Sequence, residues 1–93
     1  MRKKTEIYDA VEEFFDRVWH ERKLVMRENI KTGVEDMPPR DIMRDMLLAM
    51  TRVQRKYGQD NLEVQSDFDW GMINGKLSAL RWVMGDDWDD LDT

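Results

Sequence analysis

Residues 66–85 read SDFDWGMINGKLSALRWVMG, and this stretch decides the fold. Trp70, Ile73, Leu77, Leu80 and Met84 recur at steps of 3, 4, 3 and 4, the spacing of an apolar helical seam. Gly71, Gly75, Ser78 and Ala79 fall roughly opposite and form a stripe with almost no side-chain volume. Each glycine inside a helix costs about 1 kcal/mol relative to alanine. The stripe therefore predicts a close approach by another helix, or by a bulky ring such as a tryptophan, that offsets the cost. A helix packed on both faces is a central helix.

Upstream, GQDNLEVQ leaves the start of this helix open between residues 61 and 66. The later start uses Ser66 as the cap, with Asp69 in the place that glutamate usually holds in a capping box. The helix ends at Met84, and Gly85 follows it. The acidic segment DDWDDLDT, residues 86–93, closes the chain.

Further upstream, Met43, Met46, Met50, Val53 and Tyr57 give a second seam at steps of 3, 4, 3 and 4, flanked by Leu47. Proline fits the first position of a helix and pushes its predecessor to an extended conformation. The spacing predicts a helix over 39–57 that stops at Gly58. Arg52, Arg55 and Lys56 sit in its last turns, where cations favour the helix dipole. Residues 32–38, TGVEDMP, are the clearest linker. Before them, Ile7, Val11, Phe14, Val18 and Val25 mark a helix over 5–31, with Glu21 interrupting the seam and Tyr8, Phe15, Trp19 and Met26 widening it. Thr5 is its expected cap. At 1.5 Å per residue that helix is about 40 Å long, above the usual range for so short a chain. Nothing reads as a strand or a repeat.

The expected fold is all-α: one domain over residues 1–93, a three-helix bundle or a long helical hairpin plus a third helix. Sustained seams and the long first helix favour packing as a homodimer. Four tryptophans and eight methionines suit broad, irregular contacts.

Charge is unevenly placed. Residues 1–57 hold 13 Lys/Arg against 11 Asp/Glu, whereas residues 58–93 hold 2 against 9. An acidic chain argues against nonspecific binding to nucleic acid or membrane surfaces. The absence of cysteine excludes disulfides, thiol nucleophiles and thiolate metal sites. Arg2-Lys3-Lys4 is followed by acids rather than an apolar run, unlike a signal peptide. No apolar stretch approaches the ~18 residues of a membrane span, and the expected location is the cytoplasm.

Several residue groups raise the question of chemistry. Asp86, Asp87, Asp89, Asp90 and Asp92 surround Trp88 and Leu91. A solvated tail with Trp88 and Leu91 tucked back is the plain reading, and docking on a basic partner is the alternative. A calcium loop needs alternating ligands and a glycine at its turn, which this segment does not supply. The sole histidine, His20, lies four residues after Asp16 and near Glu12 and Glu13, but one helix offers too few metal ligands. A structural or surface histidine is the expectation, with no cofactor.

Glu13 and Asp16 also match the paired-carboxylate fragment of all-α, magnesium-dependent nucleotide pyrophosphatases (the MazG group). A second carboxylate pair would have to come from Asp60 and Glu63 or from Asp41 and Asp45, and neither pair has the family spacing. Arg40, Arg44, Arg52, Arg55 and Lys56 make the second helix the basic element. A nucleic-acid accessory role would use them, although Asp41 and Asp45 interrupt the run and no stacking platform accompanies it. Gly71 and Gly75 form a GxxxG pair, but Asn74, Lys76 and Arg81 share that helix and rule out a lipid-facing segment.

Residues 69–93 contain NGKLSALRWVMG followed by an acidic Trp-Asp segment ending in Leu-Asp-Thr. This quarter of the chain resembles the tail of small helical proteins of marine tailed phages and marine microbial sequences, a group with no assigned activity. The resemblance implies a source, and it implies that the tail is a definite feature rather than a frayed end. The functional expectation is a small, non-enzymatic, self-associating protein. The nucleotide hydrolase and the nucleic-acid accessory protein are the alternatives.

Overall fold

The computed structural model describes residues 1–88. Among them, three α-helices and one short 3-10 turn follow in order, with no strand: α1 is Lys4–Lys31, α2 is Arg40–Tyr57, the turn is Asp60–Leu62, and α3 is Asp67–Val83. The all-α, three-helix class is thus the observed one.

Each helix boundary has a local chemical cause. α1 begins one residue before the expected Thr5 cap, because Glu6 does the capping. Its Oε1 accepts from the Lys3 N–H at 3.3 Å, and its Oε2 pairs with Arg2 at 3.1 Å. Thr5 lies inside the first turn. At the other end, Gly33 N–H donates to Ile30 C=O and Val34 N–H to Asn29 C=O, closing orphan carbonyls in a Schellman pattern.

Pro39 stands just outside α2 as its N-cap, and its carbonyl accepts from Met43 N–H at 3.0 Å. Gly58 ends α2 with φ +83, a left-handed conformation that a side chain would strain, while its N–H donates to Gln54 C=O. The open question at GQDNLEVQ resolves as two pieces. Asp60–Leu62 makes its own 3-10 turn, and α3 starts after Ser66. Ser66 Oγ accepts from Asp69 N–H at 3.1 Å. The Asp69 carboxylate reaches back to the N–H of Gln65 at 3.3 Å, one residue earlier than the longer glutamate of a usual capping box would serve. At the far end Gly85, φ +109, turns the chain, with Asp86 N–H donating to Arg81 C=O.

The chain divides into two compact units. One comprises Met1–Trp19 and the chain from Val64 onward, and the other comprises His20–Glu63. In the first, the opening half of α1 packs on α3. Val18, fully buried, and Leu77 are its most enclosed apolar side chains, and Ser78 is buried beside them. Ile7, Ala10 and Phe14 share a groove of about 590 Å³ with Ala79 and Leu80. In the second unit, the closing half of α1 packs on α2 around Met46, Met50, Leu62 and His20.

The α2 seam matches its expected face, with Met46 and Met50 buried and Met43, Val53 and Tyr57 half-buried. The α1 seam holds only through Val18. Val25 is 51% exposed, because α2 is met by a different set of α1 residues that includes His20. Tyr8 is likewise exposed rather than part of the packed face.

On α3 the seam is partly as expected. Leu77 is buried and Trp70, Ile73 and Leu80 are half-buried, whereas Met84 lies beyond the last helical residue and is exposed. The small-residue stripe behaves differently at its two ends. Ser78 is buried and Ala79 half-buried, but Gly71 and Gly75 face open space. A Cβ built at either glycine meets nothing within 4 Å. Among the described residues, no helix or tryptophan ring makes the close approach expected there.

Candidate functional site

The chemistry-bearing residues do not converge on one place. His20 is 2% exposed. Its Nε2 lies 3.0 Å from Gln54 Nε2 across the α1–α2 contact. With the amide donating, the ring accepts at Nε2 and carries its proton on Nδ1, a buried atom with no hydrogen-bond partner. Burial pushes the imidazole pKa below its ordinary 6.5, since charging the ring would cost solvation that the site does not return. His20, Gln54, Gln59, Asp60, Leu62 and Glu63 line a groove of about 320 Å³.

Glu13 is engaged within α1, where its Oε2 accepts from Arg17 Nε at 2.9 Å. Glu13 and Asp16 belong to one compact unit, whereas Asp41, Asp45, Asp60 and Glu63 belong to the other. Among the described residues, no three His, Asp or Glu side chains stand close enough together to share a metal ion. Glu21, which interrupts the α1 seam, has its carboxyl pKa raised by burial. Its sequence signal was that interruption, a carboxylate on an otherwise apolar stripe.

The cations of α2 are spread rather than focused. Arg40, Arg44, Arg52, Arg55 and Lys56 are all exposed. Arg44 pairs with Asp45 at 3.4 Å, and Lys56 lies 5.3 Å from the Tyr57 ring centroid. No described helix is long and apolar enough to cross a membrane.

The tail is a definite local structure as far as the described residues reach. Trp88 stacks on Trp82, with ring centroids 4.7 Å apart and planes 15° from parallel. Trp88 therefore turns back onto the end of α3 rather than into a core, and 56% of it remains exposed. Asp86 and Asp87 are exposed beside it. Leu91, Asp89, Asp90 and Asp92 lie outside the described residues.

The largest chemical feature is apolar. Phe68, Met72, Trp82 and Val83 on α3 are 73, 44, 49 and 57% exposed, and they flank the open glycines. The sequence pattern draws attention to the glycines and not to these large side chains beside them. Their signal was present as a second 4-3-4-3 run: Phe68, Met72, Gly75, Ala79 and Trp82.

Fold and surface together define a small all-α protein with an exposed apolar face on α3. No protein-family model, no curated protein and no solved structure matches the chain.

Proposed function

We propose that this protein works by association rather than by catalysis, as a small helical chain that forms a homodimer. Trp88 and its flanking aspartates then serve as a clasp on the end of α3 or as a docking point for a basic protein partner. The observation that carries this reading is the set of large apolar side chains exposed along one helix, Phe68, Met72, Trp82 and Val83 on α3. Exposed apolar faces of this kind mark association sites. The resemblance of residues 69–93 to phage and marine microbial proteins supports a setting in the cytoplasm of a bacterium or an infected host cell.

Light scattering coupled to size-exclusion chromatography tests the reading. The expected mass is twice the 11.2 kDa of one chain. A single-chain mass at every concentration removes it. The magnesium-dependent hydrolase alternative draws less support, because Arg17 already engages Glu13.

A further inference from the structure

We infer that the outer face of α3 is the surface on which a second copy of this chain docks, antiparallel, about a two-fold axis at Gly75. The inference rests on the self-association proposed above and assigns its surface.

The first support is the pattern of that face. A two-fold interface is self-complementary: each contact from one copy is returned by the other. Counting outward from Gly75, Phe68 and Trp82 lie seven residues to either side, and Gly71 and Ala79 four. In the antiparallel pair, each Trp82, which carries Trp88 on one side of its ring, therefore comes level with the second copy's Phe68. Each Gly71 meets an Ala79, and the two Gly75 backbones cross where no side chain holds them apart. Large groups at the ends and none at the centre suit two crossing helices.

The second support is the absence of charge. The two cations of α3 are drawn onto the rings of α1, with Lys76 5.3 Å from the Phe14 centroid and Arg81 6.0 Å from that of Phe15. Asp67 and Asp69 occupy the first turn, off the 68-72-75-79-82 stripe. Two like faces can thus meet without burying like charges.

A third support is space. The groove of about 590 Å³ lined by Ile7, Ala10, Phe14, Ala79 and Leu80 is an apolar recess that includes a residue of this face, Ala79. Met72 of the second copy arrives at the level of Ser78, next to it.

The area is sufficient but small. Aromatic side chains bury ~150–250 Å² each when fully covered, so the part-exposed rings, Met72, Val83 and the glycine backbone offer roughly 500 Å² per copy. Two copies would bury on the order of 1,000 Å², the lower end for a specific interface. The pair is accordingly a concentration-dependent dimer. Added salt leaves a dimer on this uncharged stripe unchanged or tighter, whereas docking on a basic partner weakens with salt.

The chain has no cysteine, so Gly75→Cys introduces its only thiol. A residue on a two-fold axis meets its own copy within the Cα separation a disulfide spans, ~4.4–6.8 Å. Under mild oxidation the native Gly75→Cys protein is expected to form cross-linked dimers at least tenfold faster than Arg52→Cys, an exposed α2 control. Equal rates overturn the assignment. As a second measurement, sedimentation equilibrium on Gly75→Glu should show association weakened at least tenfold with helix content unchanged by circular dichroism. A wild-type dimer that persists in Gly75→Glu overturns this surface and leaves self-association standing. A wild type that stays monomeric to near-millimolar concentration overturns both. A dimer that dissociates as salt rises also overturns the uncharged face.

Discussion

Gln54 Nε2 sits 3.0 Å from His20 Nε2, and this contact joins α1 to α2 beside a groove that Gln59, Asp60 and Glu63 also line. Burial lowers the imidazole pKa there, because it desolvates the charged form.

That arrangement makes stability depend on pH. The unfolded chain takes up a proton on His20 near pH 6.5, whereas the folded chain resists it until lower pH. Stability is fully present above 6.5 and falls as the pH drops from there toward the folded value, by at most about 1.4 kcal/mol per pH unit. Glu21 acts in the other sense. Its carboxyl pKa is raised in the fold, so it returns some stability as the pH falls through that raised value toward its ordinary 4.5. Urea unfolding at pH 7.5 and pH 5.5 is expected to show a loss at the lower pH in the wild type and little change in His20→Gln. An equal loss in both would mean that the imidazole is solvated in the fold.

Met50 tests whether the α2 face read from the sequence is the packed one. It is 2% exposed, and Leu48, two positions away, is 54% exposed. Removing a buried methionine side chain costs ~2–5 kcal/mol, through lost transfer energy and the cavity left behind. Met50→Ala should therefore lower the urea midpoint sharply at micromolar concentration, while Leu48→Ala stays within about 0.5 kcal/mol of the wild type. Similar losses from both would place Leu48 in a contact that the single chain does not show.

The helices were legible because periodicity, caps and glycine stops agreed. Ser66 and Asp69 form their cap, Gly58 and Gly85 take positive φ, and the methionine seam of α2 faces inward. What the sequence hid followed from α1 serving two partners. A single 4-3-4 seam runs on to Val25 in the sequence, but past Val18 the helix meets α2 with other residues, including His20. A polar residue on a helix gives no apolar signal, so His20 read as a surface or structural group with no partner named. The glycines of α3 misled in a different way. Their cost implies a neighbour, and among the described residues there is none within 4 Å. The larger residues of that face, Phe68 and Trp82, belong to a second run offset from the Trp70–Leu80 seam.

Trp88 supplies a test of the tail. Its stack on Trp82 is local, with both rings about half exposed, so it stabilises modestly. Aromatic pairs contribute ~0.5–1.5 kcal/mol beyond their burial. Trp88→Ala should lower stability by about 0.5 kcal/mol and abolish the exciton couplet that two stacked indoles give in circular dichroism. A couplet that survives would have to come from another pair of tryptophans. A couplet absent from the wild type would leave Trp88 loose and available to a partner.

Two substitutions on α3 should stabilise the folded chain, each for its own reason. A Cβ at position 71 meets nothing within 4 Å, so Gly71→Ala removes glycine's entropic penalty without a clash, a gain of up to about 1 kcal/mol. Ser78 is buried with a hydroxyl oxygen that has no hydrogen-bond partner. A buried, unsatisfied polar group costs ~1–3 kcal/mol, so Ser78→Ala removes that penalty and adds helix propensity while leaving almost the same volume. Both gains belong to the single chain and should be measured at high dilution, by thermal and urea unfolding. The pair should add to within about 0.5 kcal/mol, since positions 71 and 78 stand two helical turns apart. A destabilised Ser78→Ala would mean that the hydroxyl has a partner in solution, such as a bound water. A destabilised Gly71→Ala at dilution would mean that the face is covered within one chain after all.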